Sequence, residues 1–355
     1  MSVPRGYVAL LGVMSGPVLA ACADHSLCVV QPAAPLTSAL APPGFPAGPV
    51  TLTAPPDNIL TEERARLGKR LFFDPRLSRT GLVSCSSCHD QAHAFSDPRP
   101  VSLGVDGRAG TRNAPALVNL AWGTSFFWDG RAPTLEDQAG QPIQNPVEMD
   151  STLEDAVKRV AAEPSYVDAF RSAYGAGADT AAGSINEMTL RQALASFVRT
   201  LVSGDSPYDR FLAGEASALD APEQRGESLF FSERTGCFHC HPRGTLTNAG
   251  FFNDGSYTAG GDTGRQMITG RTGDLGKFKV PGLRNVAVSA PYMHDGSLAT
   301  LADVLAQYDR GGRGHPSTDP QIAPLGLTDD ERADLLAFLG ALTDVEFLDD
   351  PRFRP

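Results

Sequence analysis

The chain is short of several things, and each shortage narrows what it is. Basic residues are outnumbered, with 30 Lys and Arg against 41 Asp and Glu, for a formal net charge of −11. Nucleic-acid binding needs a basic stripe, so no nucleic acid is expected as a partner. An acidic surface suits docking with a basic protein region, or plain solvation. Alternating strand patterns are scarce, which argues against a sheet-built core and for a mainly α fold. No apolar run reaches the roughly 20 residues of a membrane span. The nearest, residues 6–19, is interrupted by Gly and Pro. Cysteine is sparse: beyond the N-terminal Cys22 and Cys28, the chain holds only two pairs. No histidine lies between His93 and His239.

What is present is organised around those two pairs. Cys85-Ser86-Ser87-Cys88-His89 and Cys237-Phe238-His239-Cys240-His241 both read Cys-x-x-Cys-His. Thiols so spaced bond the vinyl groups of a c-type haem, and the following imidazole becomes the proximal iron ligand. From six Cys and seven His in 355 residues, chance gives about 0.002 such motifs, so two are not an accident. Zinc is the competing reading, but a closed zinc site needs two further ligands beside each pair, and no cysteine is left over in the body of the chain. Two covalently bound haem c groups are expected.

The N-terminus reads as an address. Arg5 precedes the apolar run, and Leu19-Ala20-Ala21-Cys22 resembles a bacterial lipobox. Residues 1–21 are then a lipoprotein-type signal peptide, and Cys22 carries the lipid that holds the chain at a bacterial membrane. Ordinary cleavage after an alanine is the alternative, and would let Cys22 and Cys28 form a disulfide. Both routes place the mature chain in the periplasm. Residues 22–57, rich in Pro and Ala, form a linker. The remaining length accommodates two domains, 58–205 and 206–355.

The haem motifs belong to a longer repeat. Gly68-Lys69-Arg70-Leu71-Phe72-Phe73 precedes the first, and Gly226-Glu227-Ser228-Leu229-Phe230-Phe231 the second. Downstream, Pro115-x-Leu117-x-Asn119, Asp129-Gly130 and Thr134-Leu135 recur as Pro281-x-Leu283-x-Asn285, Asp295-Gly296 and Thr300-Leu301. The offset is constant, and the Gly-rich stretch 254–276 supplies the extra residues of the second copy as a surface loop. Two cytochrome-like haem domains related by internal duplication are expected. Thr134, Thr152 and Thr328 read as helix N-caps. Residues 184–202 read as an amphipathic helix joining the domains.

The same offset sets Tyr308 against Pro142, and His294 against Trp128. Tyr308, two turns along a helix that opens at Thr300, is placed to be the sixth ligand of the second haem; Met293 is its rival. Proline has no donor, so the first haem, held by His89, should keep an open face. One closed and one open haem make an electron-transfer partner beside a reaction centre. Gln138 and Glu148 flank Pro142. A carboxylate beside an open haem can accept a proton from peroxide and return it. A solvated carboxylate and a surface amide are the plainer readings of the two. Trp128 is read as a carrier between haems, or as a core residue beside Phe126 and Phe127. His93 is on the wrong side to ligate the first iron unless its loop reverses.

These residues resemble the bacterial di-haem cytochrome c peroxidase and MauG superfamily, from about residue 60 to 342. The motifs that carry the resemblance are the two Cys-x-x-Cys-His sites, Ala94-Phe95-Ser96-Asp97, Arg112-Asn113-Ala114-Pro115, Phe127-Trp128-Asp129-Gly130-Arg131 and Pro291-Tyr292-Met293-His294-Asp295-Gly296. The resemblance implies an inter-haem tryptophan at Trp128, distal Gln138, Pro142 and Glu148, and a calcium ion held by Asn113, Ser289 and Pro291. Ser289 stands where the family commonly has Thr. The chain lacks the distal histidine of typical peroxidases and has Tyr308 in place of their Met, which implies the MauG-type branch. Members of that branch use hydrogen peroxide to reach a bis-Fe(IV) state and oxidise a tryptophan of a partner protein by long-range electron transfer. The alternatives are a peroxidase fed by a small cytochrome or copper protein, and an electron-transfer di-haem cytochrome.

Overall fold

The structure, a computed structural model, describes residues 54–175 and 185–355. The expected signal peptide, Cys22, Cys28 and the linker up to residue 53 lie outside the described residues. Helices start where a short polar side chain takes up an amide that the first turn leaves without a partner. Thr61, Thr134, Thr152, Thr300 and Thr328 each accept from the backbone N–H three residues on. Each such cap contributes about 1 kcal/mol.

The first half of the body is built from α1 (Glu62–Phe72), α2 (Leu135–Gln144), α3 (Leu153–Ala161), α4 (Pro164–Tyr174) and α5 (Glu187–Thr200). The second contains α6 (Pro207–Leu212), α7 (Ala221–Phe230), α8 (Gln266–Thr269), α9 (Leu301–Asp309), α10 (Asp329–Gly340) and α11 (Val345–Asp349). Among the described residues, sheet is confined to β1 (Phe251–Phe252) and β2 (Phe278–Lys279), paired antiparallel with Phe251 opposite Lys279. The protein is mainly α, as its scarce alternation implies.

Two hydrophobic cores form. The first gathers Leu71, Phe72, Phe95, Leu135, Tyr166 and Phe197; the second gathers Tyr208, Phe230, Leu246, Leu335, Phe338 and Leu342. Each fully buried Leu or Phe contributes roughly 1.5–3 kcal/mol. Both cores rest on a close helix crossing. At Gly68 of α1, a Cβ would stand 1.9 Å from the Ala193 carbonyl oxygen of α5. At Gly226 of α7, it would stand 1.9 Å from the Asp334 carbonyl oxygen of α10. Only glycine lets these backbones meet.

Three expectations change. The helix expected at 184–202 is α5, and it is the central helix of the first core rather than a joiner. Leu190, Ala193, Leu194, Ala195, Phe197 and Val198 are all buried, so it is sheathed on nearly every side. The stretch 254–276 is more than a surface loop. It includes α8, and its Asp262 accepts from Arg112 Nε and Nη2 at 2.6 and 2.9 Å. Arg265 Nη1 donates to the carbonyls of Asp129 and Gly130 at 2.7 and 2.9 Å. Charge pairing across 150 residues of chain fixes a segment whose own composition predicts only turns. The chain end, expected to stay with the second half, packs Phe347 and Phe353 into the first core against Phe95.

Candidate functional site

Each Cys-x-x-Cys-His motif opens with a tight 3-10 turn, Cys85–Ser87 and Cys237–His239. The histidine that follows is held from behind. His89 Nδ1 lies 2.6 Å from the Phe95 carbonyl oxygen, and His241 Nδ1 lies 2.7 Å from that of Leu246. A carbonyl only accepts, so Nδ1 carries the proton and the Nε2 lone pair is left for a metal. Left-handed backbone at Ala94, Phe95 and Leu246 turns the chain at those carbonyls. Burial holds both imidazoles neutral, lowering the pKa of His89 and taking that of His241 to about 4. Burial also keeps the thiols protonated, pushing Cys85 up to about 12 and Cys240 to about 11. Zinc needs thiolates and four ligands. Among the described residues no three His, Cys, Asp or Glu side chains converge on one point.

Both motifs open onto cavities. The first, about 870 Å³, is bordered by Cys88, His89, Gln138, Pro142, Glu148 and Trp128. The second, about 240 Å³, is bordered by Cys237, Cys240, His241, Met293, Tyr308 and Trp128. A thiol pair and a neutral imidazole beside a largely apolar hollow is the donor set for haem c, so the residues fit the group their motifs imply.

The first cavity contains an acid–base group. Glu148 follows α2, and its carbonyl accepts from the Val105 N–H at 2.8 Å, fixing the backbone there. Burial raises its carboxyl above the ordinary range. The 2.6 Å bond from Asn145 Nδ2 and the charge of Arg131 oppose that shift only in part. Gln138 and Pro142 share α2 one turn apart. Proline has no N–H, so the helical bond to the Gln138 carbonyl is absent. The sequence-predicted trio of Gln138, Pro142 and Glu148 thus borders one cavity.

Trp128 borders both cavities, while its neighbours Phe126 and Phe127 serve the first core. Its Nε1 donates to the Asn113 carbonyl at 2.8 Å, and its own carbonyl accepts from the Lys279 N–H at 2.7 Å. Asn113, Ser289 and Pro291 all border the second cavity, and Asn113 Nδ2 donates to the Arg99 carbonyl at 3.0 Å. Tyr308 and Met293 both border it too. Burial pushes the Tyr308 phenol well above its ordinary value, so a phenolate there requires a bound cation.

Other histidines stand apart. His93 Nδ1 pairs with Asp90 at 2.9 Å, and His239 lies 3.3 Å from Glu233. His315 Nδ1 meets Ser317 Oγ at 2.8 Å. None borders either cavity. Two residues that the sequence did not single out for a role border both. His294 stacks on Phe278 with centroids 3.7 Å apart, and its buried Nδ1 has no partner. Lys279 borders both cavities from β2. The one signal for it is a lysine set between two apolar residues, Phe278 and Val280, just ahead of Pro281.

Known proteins resemble the chain in sequence and in fold. A family model described as di-haem cytochrome c peroxidase matches residues 62–217. The methylamine utilization protein MauG of Methylorubrum extorquens is 42% identical over 296 residues, 83% of this chain and 82% of that one. The cytochrome c551 peroxidase of Pseudomonas aeruginosa is 37% identical over 291 residues, 80% of each chain. The crystal structure of a MauG-like protein associated with microbial copper homeostasis superposes with a TM-score of 0.79 at 38% identity, covering 84% of this chain and 95% of that one. The chain is therefore a di-haem oxidoreductase of peroxidase type, and it belongs to the di-haem cytochrome c peroxidase family.

Proposed function

We propose that the protein is a MauG-type oxidoreductase, which uses hydrogen peroxide to oxidise a tryptophan on a separate, exported protein. One observation carries this reading: the two cavities are unequal. The first, beside His89, has Gln138, Pro142 and Glu148 on its wall and neither Tyr308 nor Met293; the second has both of these. The loop after the first motif offers one histidine, and it is tied to Asp90 away from the cavity.

Haem c, when bound, supplies redox-active iron and a coordination position for peroxide. The chain's own groups do the rest. His89 and His241 present Nε2 as proximal ligands. Gln138 can donate from Nε2 to bound oxygens, and Glu148 accepts and returns a proton at its carboxylate. Pro142 keeps the face free of a protein donor. Trp128, in the wall common to both cavities, is the aromatic conduit between them. Tyr308 would be the residue that holds the second haem from the side opposite His241, and its phenolic oxygen would supply a hard anionic donor that favours oxidised iron. Asn113, Ser289 and Pro291 would hold a calcium ion through an amide and carbonyl oxygens, donors suited to a hard cation. We read the two halves as duplicated haem units, and the mature chain as periplasmic and lipid-anchored at Cys22.

The test combines the diferric protein, hydrogen peroxide and a candidate exported protein that exposes a tryptophan. Peptide mass mapping should find oxidation at that tryptophan. Steady peroxide turnover with reduced cytochrome c, and no tryptophan product, would instead select a peroxidase fed by a small cytochrome or copper protein. No reaction with peroxide would leave an electron-transfer cytochrome.

A further inference from the structure

Arg112, Arg131, Arg284 and Lys279 all border the first cavity. The three arginines have carboxylate partners. Arg112 meets Asp129 at 2.5 Å and Asp262 at 2.6 Å, Arg131 meets Asp129 at 3.1 Å, and Arg284 pairs with Asp209. Lys279 is different. No carboxylate of the described residues acts on its ammonium, and desolvation alone pulls its pKa down to about 8. It is also the one lysine or arginine, among the described residues, that borders the second cavity. Its position is fixed: its N–H donates to the Trp128 carbonyl at 2.7 Å, and β2 pairs it with Phe251.

A desolvated ammonium without an anion is disfavoured, so its group either gives up the proton or is kept charged by a bound anion. Each haem c carries two propionate carboxylates, and both haem cavities meet at Lys279. We propose that Lys279 is the common counter-ion of the two haems, its ammonium answering propionates from both sites. It is a positioning residue. It orients both groups against the Trp128 wall, and its charge favours the reduced state of each, because a cation stabilises added electrons. The inference rests on the two-haem assignment and is independent of which substrate the protein oxidises.

The test is a potentiometric titration of the holoprotein, followed by haem absorbance, in Lys279→Met, Lys279→Gln and Lys279→Arg. Haem content is measured first as the pyridine haemochrome. Both midpoint potentials should fall in the Met and Gln variants and stay near wild type in the Arg variant. A fall at one haem alone, or at neither, would overturn the shared role. So would an Arg variant that falls as far as Met, since charge would then not be the cause. Should the Met variant fail to load haem, the neutral but polar Gln variant decides by the same criterion. Loss of haem from all three variants would also overturn the proposal, because the site would then need the shape of lysine rather than its charge. No peroxide or partner protein enters the titration, so its result is separate from that of the tryptophan experiment.

Discussion

The two haem cavities share Trp128, Asn113, Lys279 and His294 as a common wall, yet their far walls have little in common. The first is about 870 Å³ and carries a half-buried carboxylate with a raised pKa. The second is about 240 Å³ and is faced by a phenol and a thioether. The proximal sides are nearly interchangeable, with a tight turn, a half-buried histidine and a backbone carbonyl behind Nδ1. The difference is that the two cavities are alike on the side of the Cys-x-x-Cys-His motif and unlike on the side of the helix opposite it, which is where the proposed division of labour would arise. α2 brings Gln138 and Pro142, and α9 brings Tyr308.

The largest expected effect separates the two cavities directly. Glu148→Gln removes the proton acceptor, and should slow the reaction with peroxide by about 10²- to 10⁴-fold, read by stopped-flow absorbance. Proximal ligation at His241 should be untouched in that variant, and a changed low-spin spectrum would break the comparison. A structural asymmetry comes next. Phe353 closes the first core from the far end of the chain, so Phe353→Ala should destabilise the protein by about 3–5 kcal/mol in denaturant unfolding. The symmetric pair follows: Gly68→Ala and Gly226→Ala should each cost about 1–3 kcal/mol by forcing the helix crossings apart. Unequal losses would show that the two halves are not equally dependent on their crossing.

A pH profile sharpens the comparison further. The form of Glu148 that accepts a proton exists above its pKa and is lost as pH falls through it. Burial raises that pKa, so the peroxide rate should decline with acidification at a midpoint above the ordinary carboxylate range. This limb should vanish in Glu148→Gln. The smallest effect is spectroscopic. Tyr308→Phe should alter the low-spin haem bands with little change in stability, and unaltered bands would transfer the ligand role to Met293.

Local chemistry was legible in the sequence. Cys-x-x-Cys-His names its cofactor, because thioether attachment and proximal ligation need those atoms within one turn. The threonine caps were legible for the same reason, since a cap and its amide are three residues apart. Pro142 was found by applying the repeat's offset, Gln138 and Glu148 as the residues that flank it, and all three border one cavity. Lys279 escaped, because its significance is the lack of a carboxylate nearby, and absence in space leaves no mark along a chain. The role of 254–276 escaped as well. Arg112 and Asp262 look like ordinary surface charges until the fold sets them 2.6 Å apart.

The amino-acid order alone determined the number and kind of prosthetic groups, the helical class and the inequality between Pro142 and Tyr308, because each is written in residues that act on near neighbours. The tertiary structure alone decided that Trp128 borders both cavities, that Phe347 and Phe353 return to the first half, and that Lys279, with no carboxylate partner among the described residues, borders both cavities as well. Those outcomes depend on which distant surfaces exclude water from one another, and only packing settles that.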